Sequence, residues 1–206
     1  MILETFTAEQ IKSTLLSYQD TIETCILSKI QDYVKAFRVR RKPTVFVRPI
    51  KYTIGRNKFI SYIACPTDSP KDMICINFLV LETSKGRIYY EISPDCSVRR
   101  FSKHFIERFI ERTSYNCTKE NFLVYFCKEF LYSATYYTNP QDNVDYRRGQ
   151  YGLAVSENNT YITYMSNLTK HKKEISLYSY ASSLIKLREQ FNSFRGEYYF
   201  KKSLIY

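Results

Sequence analysis

The chain has 206 residues, 44% of them hydrophobic and 25% charged, a balance that supports one packed core and excludes the low-hydrophobicity signature of disorder. Its 31 Lys and Arg against 20 Asp and Glu leave a net charge of +11, a field that repels basic surfaces and attracts polyanions. Twenty tyrosines and fourteen phenylalanines stand beside no tryptophan.

The first element is announced by Thr7 and Gln10, spaced as a capping box in which each side chain satisfies a backbone donor at a helix start. Ile11, Leu15, Tyr18, Ile22, Ile26, Ile30, Val34 and Phe37 then recur every three or four residues, which predicts a long amphipathic N-terminal segment, one helix or two, ending before Pro43. Its end carries Lys35, Arg38, Arg40, Arg41 and Lys42. Cations suit a helix C-terminus, but five exceed that need, so they are candidate contacts to a phosphate backbone.

After Pro43 the period changes. TVFVRPIKYTI, KFISYIA, MICINFLVLET and RIYYEIS, separated by Gly55-Arg56-Asn57, the Pro66 to Pro70 loop and Ser84-Lys85-Gly86, predict an antiparallel meander. Two helices follow, Lys103 to about Thr113 and Lys119 to about Ala134, the second capped by Thr118. A polar loop around Pro140 leads to YGLAVSE and TYITYMS, which flank Asn158-Asn159 as a hairpin. A last helix from about Glu174 to Phe194 stops at Gly196, and the tail to Tyr206 suits an edge strand. The predicted class is α+β, an antiparallel sheet packed by helices, with residues 1–42 as a helical segment joined to an α+β domain over 43–206 in one globular unit.

Chemistry-bearing patterns are few. Six cysteines at 25, 65, 75, 96, 117 and 127 lie singly in apolar segments, as buried thiols of a reducing compartment do, and neither they nor His171 offer metal-ligand spacing. No nucleotide fingerprint is present, so neither cofactor nor metal is expected. The start MILETFTAEQ has no basic region followed by an apolar run, and the longest apolar stretch is too short to span a bilayer. The expectation is a cytoplasmic protein with no membrane partner.

The stretch SKHFIERFIER, residues 102–112, concentrates the remaining signal. On a helix His104, Arg108 and Arg112 fall within an arc of about 80°, with Glu107 and Glu111 beside them and the phenylalanines and isoleucines opposite. The like-charge pairs at four residues, Glu107 with Glu111 and Arg108 with Arg112, cost a few tenths of a kcal/mol each. Such a face is first of all that of a solvated helix, and its basic edge also suits an outside anion, since the guanidinium fork matches phosphate. Arg99, Arg100 and Lys103 extend the same field.

This stretch resembles the His-x3-Arg-x3-Arg helix of small bacterial proteins of the RelE/MqsR-like toxin class and of uncharacterised relatives from Bacteroidetes and their phages. The resemblance covers about a dozen residues. It implies a compact α+β fold and metal-independent RNA cleavage, with His104 as acid or base, Glu107 as complementary base or orienting group, and Arg108 and Arg112 on the phosphate. RNA, another polyanion or an acidic protein is then the expected partner. Tyr89 and Tyr90, on the strand before it, are candidates for stacking on a base, or for the core. The alternative reading is a non-enzymatic interaction protein of a phage or mobile element, a virion component or host-factor binder.

Overall fold

A computed structural model describes residues 1–39, 46–65, 74–113, 115–130, 136–139 and 144–166. The helix announced by Thr7 is present as α1 (Ala8–Leu16), with the capping box complete: Thr7 accepts from the Gln10 amide and Gln10 accepts from the Thr7 amide at 2.8 Å. It does not run on as one long helix. The chain breaks at Ser17 and Tyr18 and resumes as α2 (Gln19–Val39). Ile11, Leu15, Ile22 and Ile26 are buried on both sides of the break, so the apolar stripe survives a change of axis that periodicity alone does not detect.

Five strands follow as a meander: β1 (Phe46–Ile54), β2 (Asn57–Cys65), β3 (Ile74–Thr83), β4 (Gly86–Ile92) and β5 (Val98–Phe101), each antiparallel to the last. The turn between β1 and β2 has two residues, and Gly55 takes φ +60° at its first position, a conformation that side chains resist. Then come α3 (Lys103–Arg112) and α4 (Phe122–Phe130), and a second antiparallel meander of β6 (Tyr136–Asn139), β7 (Val144–Arg148), β8 (Gly152–Glu157) and β9 (Thr160–Ser166). The two meanders join where β5 lies parallel to β9, at Arg100 with Thr160 and Phe101 with Tyr161. The described strands thus form one nine-stranded sheet in the order β1-β2-β3-β4-β5-β9-β8-β7-β6.

One expectation needs correction and two fall wholly or partly outside the described residues. The polar loop expected around Pro140 falls on residues 140–143, outside the described residues, and the residues on either side pair as strands β6 and β7, which the sequence pattern does not predict. Thr118 does not start α4: its amide donates to Asn121 Oδ1 at 2.6 Å, and the helix opens after Asn121, whose carbonyl receives the Val124 amide. The predicted C-terminal helix and edge strand lie outside the described residues.

Alternation along the strands gives the sheet two apolar faces. Phe59, Leu79, Leu81, Tyr90, Ile92 and Val98 pack with α1 and α2; Tyr62, Ile76, Phe78, Phe101, Tyr161 and Tyr164 pack with α3 and α4. The class is α+β. The second face is a stack of rings, in which Phe101 lies 5.0 Å from Phe126 and 4.9 Å from Tyr161 between centroids. Each such buried aromatic contributes about 1.5–3 kcal/mol of transfer free energy. Among the described residues, no helix is long and apolar enough to cross a membrane.

Candidate functional site

Helix α3 fixes the site because its two faces differ so sharply. Phe105 and Phe109 are fully buried against β9 and α4, and Ser102 caps the helix by accepting from the Phe105 amide at 3.0 Å. The apolar face thereby sets the direction of every polar residue. Lys103 and His104, both exposed, occupy the first turn, which contains no acid.

The polar residues do not converge. Arg108 donates to Glu111 at 2.7 Å across one turn. Arg112 turns inward and donates to the Tyr164 carbonyl at 3.0 Å, which ties α3 to β9. Glu107 lies 3.8 Å from Lys103, so it leans toward the helix start and does not pair with His104 as the spacing suggested. Arg99 is half-buried and pairs with Asp145 of β7 at 3.3 Å. Arg100 sits opposite Tyr90 across β4 and follows it toward the α1–α2 face. The side chains of Lys35 and Arg38, and all of Arg40, Arg41 and Lys42, lie outside the described residues.

What the fold does assemble is a groove of about 430 Å³ between the β3–β4 turn, β5 and the start of α3. Lys85 comes from the turn and Arg87 from the start of β4, Lys103 and Glu107 from α3, and Lys119 and Glu120 from the turn before α4. Tyr89, Phe101 and Ile106 form part of its apolar wall, and the strand of Arg100 borders it. His104, Arg108 and Arg112 do not line it. Lys85 and Lys119 make no ion pair with any described residue, whereas Arg87 donates to both oxygens of Glu82 at 3.0 and 3.2 Å. Desolvation would raise the Glu82 carboxyl; Lys58 and Arg87 overcome it and hold the group below its ordinary value. The Thr118 hydroxyl does the same for Glu120, helped by the Glu120 amide, Lys119 and Arg87. The groove itself mixes the cations Lys85, Arg87, Lys103 and Lys119 with the acids Glu107 and Glu120.

Tyr90 belongs to the core: it is buried with α1, and burial pushes its hydroxyl up. Tyr89 is different. Its ring rests edge-to-face on buried Phe122 at 4.9 Å while remaining partly exposed at the groove.

A second polar cluster escaped the sequence. Glu91 of β4, buried, accepts from Arg147 at 2.6 Å and from the Tyr161 hydroxyl at 2.5 Å, and Arg147 lies over the rings of Phe126 and Phe130. Arg147 reads in sequence as a solvated loop cation, and it is instead a core residue. This pair fits a structural role, since each charge is met by its counterpart beneath α4. A larger cleft of about 580 Å³, beside Leu3, Arg56, Asn57 and Lys58, brings together no set of nucleophilic or metal-ligating groups.

Among the described residues, five cysteines are free thiols; burial pushes Cys75 up to about 12 and Cys117 up to about 11, which keeps them protonated and unreactive. No group of His, Cys, Asp and Glu among those residues is placed to hold a metal ion. No family model, curated protein or solved structure matches this chain.

Proposed function

We propose that this protein binds RNA, with the groove at the start of α3 as a contact site for the phosphate backbone. One observation carries the reading: Lys85, Arg87, Lys103 and Lys119, from three separate parts of the chain, border one hollow, and among the described residues neither Lys85 nor Lys119 makes an ion pair. Bringing like charges together costs free energy unless an outside anion compensates. The net charge of +11 adds a long-range field of the right sign. The resemblance of SKHFIERFIER to RelE/MqsR-like toxins supports RNA as the polyanion. It supports cleavage less well, because the side chains it nominates, His104, Arg108 and Arg112, point to different surroundings. The proposal is accordingly one of binding.

The test is the affinity of a labelled 12-nucleotide RNA for the protein and for the Lys103→Ala/Lys119→Ala variant. Removing two phosphate contacts is expected to weaken binding at least ten-fold, with the RNA intact after incubation in EDTA. Unchanged affinity in the variant overturns the groove as the site, and preferential capture of an acidic peptide overturns RNA as the ligand. Cleavage abolished by His104→Ala would replace binding with the ribonuclease reading.

A further inference from the structure

We infer that the groove takes one unpaired nucleotide of a single strand, its base against Tyr89 and Ile106 and its phosphate among Lys85, Lys103 and Lys119. The inference rests on the RNA reading above and deepens it by naming the form of nucleic acid.

A surface that only tracks phosphates needs cations, and it gains nothing from an apolar floor. This groove has one. Tyr89 projects from β4 toward the α3 side of the sheet, and its ring is already fixed by its edge-to-face contact with Phe122. A ring held in place loses little freedom when a base stacks on it, which is the economy that single-strand binders exploit. Ile106, one turn into α3, supplies a second partly buried apolar surface on the same hollow. The volume of about 430 Å³ lies at the small end of ligand sites, roughly 300–1,000 Å³, and suits a nucleotide unit better than a double helix. In a duplex the bases are stacked and paired, so none would reach Tyr89 without being pulled out. Glu107 and Glu120 also border the groove. They are placed to accept from the amino or imino donors of a base edge, and they disfavour a second phosphate at that end.

Four ligands separate the outcomes by fluorescence anisotropy: a 12-nucleotide oligo-U RNA, the matching oligo-dT, an RNA hairpin duplex of equal charge, and a 12-unit abasic phosphodiester. Oligo-U is expected to bind about ten-fold more tightly than the duplex or the abasic chain. Tyr89→Ala should erase that advantage and Tyr89→Phe should keep it, as expected when one stacked base is worth about ten-fold. Oligo-dT bound as tightly as oligo-U supports the same base-and-phosphate chemistry with the sugar unread. If oligo-U and the abasic chain bind the native protein equally, and both weaken in Lys103→Ala/Lys119→Ala, the single-nucleotide inference is overturned while the RNA reading stands. If none of the four binds, both fall. The comparison of ligands on the native protein is decisive even where the Tyr89→Ala chain fails to fold.

Discussion

At the scale of single residues, Glu129 is the group whose burial has the clearest measurable consequence. It is fully buried on α4, where Oε1 accepts from the Tyr151 amide at 2.7 Å and the Tyr164 hydroxyl at 2.8 Å. The turn before β8 closes over it so tightly that a Cβ on Gly149 would lie 2.5 Å from Oε1, which is why that position is glycine. Desolvation raises the carboxyl, and the bonds from Tyr151, Tyr164 and Gly152 only partly oppose it. The folded group therefore holds its proton to higher pH than the unfolded one, which titrates near ~4.3. Below that value both states are protonated and Glu129 costs nothing. As pH rises from there through the folded value the unfolded state releases its proton first, so stability falls across that window and then levels off. In Glu129→Gln the amide oxygen keeps both hydrogen bonds and nothing titrates. Thermal melts between pH 4 and 8 should show the variant gaining on the native protein as pH rises, and parallel curves would contradict this. Truncation to Ala should cost about 1–3 kcal/mol at low pH, because the Tyr151 amide and Tyr164 hydroxyl lose their acceptor, and the cost should shrink as pH rises through the same window.

Elements behave differently, and the hairpin of β8 and β9 shows how. Asn158 and Asn159 have φ of 47° and 57°, the paired left-handed values of a two-residue turn whose twist matches the strands it joins. Asn tolerates that region better than most residues, and Gly tolerates it at no steric cost. Asn159→Gly should stabilise the protein by several tenths of a kcal/mol, and Asn159→Val should destabilise it by about 1–2 kcal/mol, both measurable by urea denaturation. Loss of stability in the glycine variant would mean that the Asn159 side chain contributes more than its backbone costs. This turn, the capping box at Thr7 and the amphipathic face of α3 were all legible because each depends on residues within four positions of one another. Strands β6 and β7 were not, because Tyr136 to Asn139 has no apolar alternation and Pro140, Asp142 and Asn143 carry every mark of a loop. The break between α1 and α2 was hidden for a related reason: Ser17 and Gln19 are acceptable in a helix, and nothing local demands a turn there.

For the whole molecule, what the sequence withheld is adjacency. The parallel contact of β5 with β9 links residues about sixty positions apart, and it places the start of α3 between the two meanders. Lys85 and Lys119 thereby reach the same hollow as Lys103, although no spacing in the chain connects them, while Arg112, which does share a spacing with His104, is carried away to Tyr164. Hence a shared helical spacing does not tell which cations come to share a hollow. The same distinction separates two sources of RNA affinity. A diffuse field from +11 charges attracts any polyanion, but the counterions displaced are set by the phosphates in contact, about 0.7 per phosphate for a single strand. One phosphate held among Lys85, Lys103 and Lys119 contributes about −0.7 to the slope of log K against log salt concentration. Removing Lys103 and Lys119 should reduce the slope's magnitude by about 0.7, whereas replacing Arg48 and Lys51 on strand β1, an equal change in net charge, should leave it unaltered. Titrations at four salt concentrations resolve that difference. Equal flattening by both pairs would mean that binding follows net charge and that the groove is an ordinary wetted hollow.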